Sequence, residues 1–360
     1  MREDWDIRLF KDVFDLQMGK TPDRKNFSLF GGDNTWVSIK DLDGKYISNS
    51  KECISDEAAK NIRLVKRGTV IMSFKLTIGK TAIAGKDLYT NEAIMAFNLR
   101  NGYDIDASFL YYYLKNYRWE GSNKAVMGIT LNKATISKHK IAIPPKSTQL
   151  SIVSELDKLN ELIQIKKEQL KDYDALAQSI FYEMFGDPVV NEKGWEVKKF
   201  GDLFKLKSGD GLSSKDFKTG IYPVYGGNGI SGYHNSFNMK GCYIIIGRVG
   251  IYCGNVRKVD GEFWLTDNAF RLIYKENEQN PFFILYLLNI LDLHQYANAA
   301  AQPVISNLTL KSINVPLPPL SLQQSFAHKI EQIERQKAEV QKTITDLETL
   351  LAARMQYWFD

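Results

Sequence analysis

Apolar residues recur at alternating steps of four and three along the stretch from Gln149 to Phe185. The stretch contains neither proline nor glycine, so nothing in it interrupts a helix. Steps of four and three are typical of a heptad repeat, in which one helix packs against another. The stretch therefore predicts a long helix whose apolar seam, interrupted by Lys166, consists of Ile152, Leu156, Leu159, Ile163, Leu170, Tyr173, Ala177, Ile180 and Met184.

A second seam of the same kind lies 174 residues further along the chain. A helix of this length, about 55 Å, is too long for one compact domain to cover, so each helix needs a long partner. We expect the two helices to form an antiparallel coiled coil, although either one alone also fits an ordinary amphipathic core helix. The seam positions that define the coiled coil are Leu156, Leu159, Ile163 and Leu170 in the first helix, and Ile330, Ile333, Val340, Ile344 and Leu347 in the second.

The rest of the chain is also duplicated. The opening stretch WDIRLFKDVFDLQMGK, from Trp5, matches WEVKKFGDLFKLKSGD, from Trp195, and the segments that precede the two long helices both end in a Pro-Pro pair. A repeat period of this size is too long for a solenoid and indicates two homologous domains. The expected organisation is a first domain over residues 1–147, a helical spacer over 148–187, a second domain over 188–321 and a second helical spacer over 322–360.

Inside each domain, two apolar runs flank a turn that carries glycine and a basic residue. The first example begins at Gly68 with GTVIMSFKLTIGKTAIA and the second at Gly241 with GCYIIIGRVGIYCGNV, which align Lys75 with Arg248. Such runs predict strand, turn and strand, and an apolar helix follows in each domain. The expected fold class is therefore α+β, with two mixed domains separated by two long antiparallel helices in a circular, pseudo-two-fold arrangement.

Composition and charge bound the function only loosely. The chain has 360 residues, 44% hydrophobic content and a net charge of +5, with the positive excess in the two domains and none in the helical segments. A mildly basic surface favours nucleic-acid binding modestly. With no charged leader and no apolar run of membrane-spanning length, we expect a cytoplasmic protein without a membrane segment. Its three cysteines form no CxxC pair and predict reduced thiols, not a zinc site.

Two motifs look like catalytic sequences but do not fit them. FKLTIGKT, from Phe74, ends like a phosphate-binding loop, but such a loop needs glycine at its first position. The tetrapeptide from Asn280 is close to the base-holding loop of amino-methyltransferases but lacks its second proline, and Asn280 and its counterpart Asp106 fit helix N-caps. The four histidines are scattered along the chain. The chain is therefore expected to be non-catalytic and to hold no cofactor and no metal.

Basic turn residues and a glycine-rich stretch are the candidates for contact with DNA. Lys75, Lys80 and Arg248 lie at or beside the strand–turn–strand tips, and arginine is the commonest reader of guanine. The stretch YGGNGISGYHN contributes Asn228 and His234 and predicts a loop of unusual conformational freedom. Solvated turn charges and a plain surface loop explain the same residues without DNA.

In their order along the chain, these stretches resemble the specificity subunit of type I restriction-modification systems. The matching residues are WEVKKFGDLF, VYGGNGISGYHN, IIIGRVG, the Pro-Pro segments followed by Gln149 and Gln323, and FYEMFGDP at the end of the first helix. The resemblance implies two target-recognition domains that each read one half of a bipartite, asymmetric site in double-stranded DNA. It also implies that the helices set the spacing and dock two modification subunits. S-adenosylmethionine and ATP would then be bound by the modification and restriction subunits, not by this chain.

Two other functions stay open on the residues alone. A self-contained DNA methyltransferase or nuclease with duplicated domains would need a cofactor loop or a carboxylate cluster, which the motifs do not supply. A coiled-coil scaffold that binds no DNA would lack the salt-dependent DNA affinity that counterion release produces. The first domain departs from the resemblance, because FKLTIGKT stands where GRVG is expected.

Overall fold

The chain folds into two compact units, each built from a mixed domain and one stretch of both long helices. The first unit comprises Met1–Lys166 and Thr343–Asp360, and the second comprises Lys167–Lys342. The finer division into two domains and two spacers stays a prediction. The computed structural model describes residues 5–119, 124–125, 128–129, 131–275 and 279–360.

The first unit contains many short strands, with short helices between them and the long helix α5 after them. The strands are β1 (Asp6–Leu9), β2 (Phe14–Met18), β3 (Phe30–Val37), β4 (Tyr46–Ile47), β5 (Glu52–Ile54), β6 (Val70–Ser73), β7 (Thr81–Ala84), β8 (Tyr89–Thr90), β9 (Ile94–Leu99), β10 (Lys124–Ala125), β11 (Gly128–Ile129) and β12 (Lys140–Ile143). The helices are α1 (Phe10–Val13), α2 (Asp56–Ala59), α3 (Ala107–Asn116), α4 (Lys133–Lys138) and α5 (Lys146–Phe185), which continues into the second unit.

The second unit repeats this order with fewer elements. Its strands are β13 (Glu196–Lys199), β14 (Phe204–Ser208), β15 (Tyr222–Gly226), β16 (Gly229–His234), β17 (Met239–Lys240), β18 (Tyr243–Gly247), β19 (Val256–Val259), β20 (Glu262–Leu265), β21 (Ala269–Tyr274) and β22 (Asn314–Leu317). Its helices are α6 (Phe200–Leu203), α7 (Pro281–Ile290), α8 (Asn307–Lys311) and α9 (Leu320–Phe359), which continues into the first unit.

The main sheet of the first unit has the order β2-β9-β6-β7-β4, in which β4 alone is parallel to its neighbour. Both of its faces are covered, so its central strands are continuous apolar runs. One face packs on α3 and α5 through residues such as Phe97 and Leu156. The other packs on the segments around β3 and β8 through residues such as Ile71 and Val37.

The main sheet of the second unit has the order β14-β21-β18-β19, and a second sheet has the order β16-β15-β20-β17. One face of the main sheet packs on α7 and the long helices through Phe204, Leu272 and Phe326. Ile245 on the opposite face packs on Phe263 of the second sheet. The predicted strand–turn–strand units are confirmed as the antiparallel pairs β6–β7 and β18–β19.

Strand pairing shows which positions of the two units are equivalent. Phe14 pairs with Leu99 in the first unit, and Phe204 pairs with Tyr274 in the second, so Phe14 and Phe204 are equivalent. At the other end of the connection, Ser73 pairs with β9 and Gly247 pairs with β21, so these two residues are equivalent as well. The offset between equivalent residues therefore falls from 190 at Phe14 to 174 at Ser73, so the second unit has sixteen fewer residues in between. It has no counterpart of β4 or α2 in that fully described interval.

The same pairing corrects one alignment made from the sequence. Phe74 donates its backbone N–H to Ala93 and accepts from Leu131, just as Arg248 donates to Asn268 and accepts from Ile305. The counterpart of Arg248 is therefore Phe74. The alignment of Lys75 with Arg248 that was made from the sequence is wrong by one residue.

Two buried glutamines join the apolar helix of each unit to the long helix that follows it. Gln149 is 1% exposed, accepts from the N–H of Asp106 at 2.8 Å and donates to the carbonyls of Asp104 and Pro144.

Gln323 is the counterpart in the second unit and is 2% exposed. It accepts from the N–H of Asn280 at 2.9 Å and donates to the carbonyl of Pro318. Asp106 and Asn280 are also the N-caps of α3 and α7, as the sequence predicts. One pair of framework contacts therefore recurs in both units.

The two long helices pack against each other within each unit. In the first unit, Glu155 of α5 forms an ion pair with Arg354 of α9 and accepts from Nε1 of Trp358 at 2.9 Å. In the second, Asp174 of α5 lies 2.7 Å from Nζ of Lys337 of α9. Early residues of α5 thus meet late residues of α9 and the reverse, which confirms antiparallel packing. Of the predicted seam, Leu156, Ile163, Ile330, Ile333, Val340 and Ile344 are buried, and Leu159, Leu170 and Leu347 are half-buried.

Candidate DNA-recognition surface

The glycine-rich stretch of the second unit forms a β-hairpin, not the irregular loop expected from the sequence. Strands β15 and β16 pair down to Gly226 and Gly229, which leaves a two-residue turn of Gly227 and Asn228. Glycine suits position 229 because its φ of +102° is strained for any other residue. The side chain of Asn228 is exposed at the tip of this hairpin.

The hairpin tip packs directly on the loop between β18 and β19. A Cβ at Gly227 would lie 2.3 Å from the carbonyl oxygen of Val249, and one at Gly247 would lie 2.3 Å from that of Gly227. Both distances are far below van der Waals contact, so only glycine allows the two backbones to approach this closely. The contact brings two predicted residues, Asn228 and Arg248, onto neighbouring loops.

Arg248 lies half-buried at the start of this loop. Its guanidinium is 5.5 Å from the ring centre of Phe270, and Nη1 donates weakly to the carbonyl of Asp267 at 3.4 Å. Its Nε is buried and has no hydrogen-bond partner among the described residues. Packing on Phe270 and the contact with Asp267 thus hold the side chain in one place.

A row of basic residues that sequence reasoning missed crosses the main sheet of the second unit. Lys207 lies opposite Arg271, Arg271 lies opposite Ile245, and Ile245 lies opposite Arg257, so their side chains are on one face. Lys207 and Arg257 are exposed and Arg271 is half-buried. Arg257 also donates to the carbonyl of Asn228 at 3.3 Å, so the row reaches the hairpin tip. The only sequence signal was the basic residue at alternate positions of apolar strands.

The first unit has uncharged residues at the equivalent places. Gln17, Ala96 and Ala82 correspond to Lys207, Arg271 and Arg257, and all three are buried at 4%, 0% and 0% exposure. The Nε2 of Gln17 donates to the carbonyl of Arg63, so the longer connection of this unit covers its sheet face. Phe74, the counterpart of Arg248, is 1% exposed.

The two lysines predicted in the first unit lie on the loop between β6 and β7. Lys75 is half-exposed, with Nζ 5.6 Å from the ring centre of Phe74, and Lys80 is exposed. The hydroxyl of Ser73 holds this loop by donating to the carbonyl of Thr77 and accepting from the N–H of Lys80 at 3.1 Å. Their ammonium groups are accessible at the loop surface.

His234 lies at the far end of β16, away from the hairpin tip. It is 6% exposed, its Nδ1 accepts from the backbone N–H of Lys218 at 3.0 Å, and its ring meets the edge of Trp264. This position gives the imidazole a structural role, and little of the ring surface is accessible to DNA. Its predicted DNA contact stays a prediction, as do those of Lys75, Lys80, Asn228 and Arg248.

The polar groups described so far can donate hydrogen bonds and supply positive charge. Among the described residues, no group of three His, Cys, Asp or Glu side chains is placed to hold a metal ion. Cys253 lies 3.5 Å from Nδ1 of His294, but burial raises the pKa of the Cys253 thiol, which keeps it protonated. In the same part of the chain, no helix is both long and apolar enough to cross a membrane.

Comparison with known sequences identifies one family. A family model described as the type I restriction modification DNA specificity domain matches residues 2–172 and again residues 192–349. The chain is 26% identical over 368 residues to the type I restriction enzyme EcoprrI specificity subunit of Escherichia coli, covering 93% of this chain and 91% of that protein. It is 29% identical over 238 residues to the MjaIX specificity subunit of Methanocaldococcus jannaschii, covering 59% and 55%.

Solved structures share the fold at lower identity. The S subunit of a type I restriction-modification system from M. genitalium has a TM-score of 0.56 and 18% identity, covering 99% of this chain and 96% of that one. A chain from a structure concerned with assembly and conformational transition of the type I system has a TM-score of 0.63 and 17% identity, covering 100% and 98%. With a repeated framework and a family match over both halves, the chain belongs to the type I restriction-modification DNA specificity family.

Proposed function

We propose that this chain is the DNA-recognition subunit of a type I restriction-modification complex, and that each unit reads one half of a bipartite, asymmetric site. The observation that carries the proposal is that one framework appears twice with different side chains at equivalent surface positions. Arg248 and the basic row of Lys207, Arg271 and Arg257 replace buried, uncharged residues of the first unit. Two such surfaces would read two different sequences.

The side chains of the second unit suit two kinds of DNA contact. Arg248 presents guanidinium donors that match the two acceptors on the major-groove edge of guanine, and packing on Phe270 limits its motion. The basic row offers up to three cations along one sheet face, which fits a phosphate backbone. In the first unit, Lys75 and Lys80 would supply the equivalent charge from a loop.

In this proposal the chain itself is non-catalytic and holds no cofactor. Two modification subunits, which bind S-adenosylmethionine, would dock on the long helices and methylate adenine, and restriction subunits that hydrolyse ATP would join them in the cytoplasm. The antiparallel packing of α5 and α9 supports a role in setting the distance between half-sites.

The test is to map methylated sites in cells that express the chain with its modification subunits. Replacing residues 188–321 with the equivalent domain of a relative should change one half-site and leave the other unchanged. A change in both half-sites would contradict the modular proposal. Methylation by the purified chain alone would instead favour a self-contained methyltransferase. The absence of salt-dependent DNA binding would favour a scaffold that binds no DNA.

The spacing role has a separate test. Deleting residues 164–170 and 338–344 removes one heptad from each helix and keeps both seams in phase. The helices shorten by about 10 Å, which corresponds to roughly three base pairs. We expect weaker methylation of the original site, partial rescue on a site with a shorter spacer, and unchanged half-sites. Full methylation at the original spacing would exclude the ruler role.

A further inference from the structure

The edge strand β4 closes one side of the first unit. It lies parallel to β7, where the N–H of Ile83 donates to the carbonyl of Lys45 at 2.8 Å and that of Gly85 donates to Ile47 at 2.7 Å. Next to it, Nζ of Lys45 lies 2.6 Å from Asp157 of α5. The edge of the sheet is therefore paired, and a lysine anchors the added strand to the long helix.

This anchor also covers one side of α3. The hydroxyl of Tyr112 donates to Asp157, and Nζ of Lys45 lies 5.2 Å from the centre of the Tyr112 ring. Tyr111 and Tyr112 are 6% and 3% exposed.

The equivalent edge of the second unit is open. Strand β19 is the last in its sheet, and no strand pairs with its outer edge among the described residues. A cleft of about 630 Å³ lies there between β19, α7 and the long helices. Leu285 and Tyr286, the counterparts of Tyr111 and Tyr112, line the cleft and are only half-buried. The cleft thus occupies the place that β4 and Lys45 fill in the first unit.

The helix side of the cleft carries an excess of negative charge. The carboxylates of Asp174 and Glu334 share one cation, with Nζ of Lys337 at 2.7 Å and 3.0 Å. Burial and the neighbouring Glu334 raise the pKa of Tyr286 to about 12, so its hydroxyl stays protonated there. A second cation near these carboxylates would resemble the contact of Lys45 with Asp157, although the residue equivalent to Asp157 is Glu331.

The strand side of the cleft offers backbone donors and one aromatic contact. Lys258 and Asp260 are the counterparts of Ile83 and Gly85, whose N–H groups bind β4 in the first unit. The side chain of Lys258 lines the cleft on the α7 side, where its Nζ packs 4.7 Å from the ring centre of Phe282. The backbone of β19 is therefore available for pairing with a further strand.

We propose that the outer edge of β19 binds an extended, lysine-bearing segment of another polypeptide, which adds to the sheet as a fifth strand parallel to β19. The backbone N–H groups of Lys258 and Asp260 donate to the incoming strand, and its lysine lies against Asp174, Glu334 and Tyr286. The proposal concerns protein binding and does not depend on which DNA sequence is read.

The probe is a fluorescent peptide with the sequence LDGKYISN, residues 42–49 of this chain, and its binding to the full-length protein is measured by anisotropy. We expect saturable binding, about tenfold weaker for the peptide with Lys45→Glu because that peptide places a carboxylate next to two others. The variant Lys258→Pro removes one donor of the edge and should abolish binding, whereas Lys258→Ala keeps the N–H and should retain it.

Hydrogen exchange of the wild-type protein tests the same proposal without a substitution that alters folding. The peptide should slow exchange of the amides of residues 256–260. Absence of binding at millimolar peptide, protection confined to β7, or equal affinity of the Lys258→Pro and Lys258→Ala variants would each overturn the proposal.

Discussion

In the first unit, residues 20–67 place β4 on the sheet edge and bury Gln17 beneath the chain around Arg63. The second unit connects the same framework strands with sixteen fewer residues. Its sheet leaves one edge without a partner strand and exposes Lys207 and Arg257 of the basic row. The buried contacts that define the fold, such as Gln149 and Gln323, are the same in both. The difference teaches that the length of one connection, on a constant framework, decides which surfaces are available for binding.

The largest effect on stability is expected at the pair Phe74 and Arg248, which occupy equivalent backbone positions in the two units but differ in environment. Phe74→Ala should lower the free energy of unfolding by about 3–5 kcal/mol, because it removes a fully buried ring from the core of the first unit. Arg248→Ala should leave that free energy nearly unchanged and weaken specific DNA binding by about 1–3 kcal/mol, with relaxed preference at one position. Chemical denaturation and competition binding measure the two quantities. Equal loss of affinity on all sequences would make Arg248 a phosphate contact.

The second prediction concerns a variant in which the three basic residues of the row are replaced by the residues at the equivalent positions of the first unit. The triple variant Lys207→Gln, Arg271→Ala and Arg257→Ala should reduce the slope of log affinity against log salt by about 3, a roughly hundredfold loss of affinity at about 0.15 M salt. Anisotropy titrations on DNA across a salt series measure the slope.

The matched control for that triple variant removes the same charge from exposed helix positions, with Lys311→Gln, Lys329→Gln and Lys342→Gln. Its salt slope should stay close to that of the wild type. Equal slopes for the two triple variants would mean that the row does not touch DNA.

The third prediction tests whether the two frameworks are equivalent. Gln149→Leu and Gln323→Leu should each lower the free energy of unfolding by about 1–3 kcal/mol, because each leaves a buried backbone N–H and at least one carbonyl unpaired. Thermal unfolding measures the loss, and Gln336→Leu, at an exposed position of α9, serves as the control. A large loss in only one unit would show that the shared contacts are not used equally.

The smallest effect is expected where the helix contacts differ. The Arg354 guanidinium, together with Trp358, holds the pKa of Glu155 below its usual range. The second unit has no equivalent ion pair at these positions, because the residues 174 positions away from Glu155 and Arg354 are Lys329 and Ile180. The stabilisation is present above the pKa that Glu155 has in the unfolded chain and is lost as pH falls through its lower folded value.

Glu155→Gln should therefore lower the melting temperature at neutral pH by on the order of 1 °C. The difference from wild type should vanish in acid, and Lys329→Gln should have no such pH dependence. Scanning calorimetry across a pH series measures both variants. A difference between Glu155→Gln and wild type that persists below the folded pKa would contradict the assignment.

The sequence alone was sufficient for the features that repeat locally. The seam that contains Leu156 and Ile330, the duplicated openers and the N-caps Asp106 and Asn280 are all visible within short windows, because burial and capping impose a fixed spacing. The order of strands is not visible in this way. Lys207 and Arg271 meet only because β14 pairs with β21, so a row built from distant stretches could not be recognised.

Register and burial explain the remaining differences. Arg248 was aligned with Lys75 by charge, whereas hydrogen bonds to neighbouring strands align it with Phe74. His234 belongs to a motif rich in glycine and aromatics that predicts an exposed loop, yet pairing of β15 with β16 turns its ring into the interior. A one-residue shift of register changes the face on which a side chain lies, and the local sequence does not encode it.

The uncovered edge of β19 also bears on self-association. An unpaired strand edge is a template onto which identical molecules can add, and this is a common route to aggregation. The two central residues of β19, Arg257 and Lys258, are both cationic, so antiparallel pairing of two such edges would place like charges opposite each other. The edge therefore discourages homotypic contact while its backbone stays free for the strand that we propose.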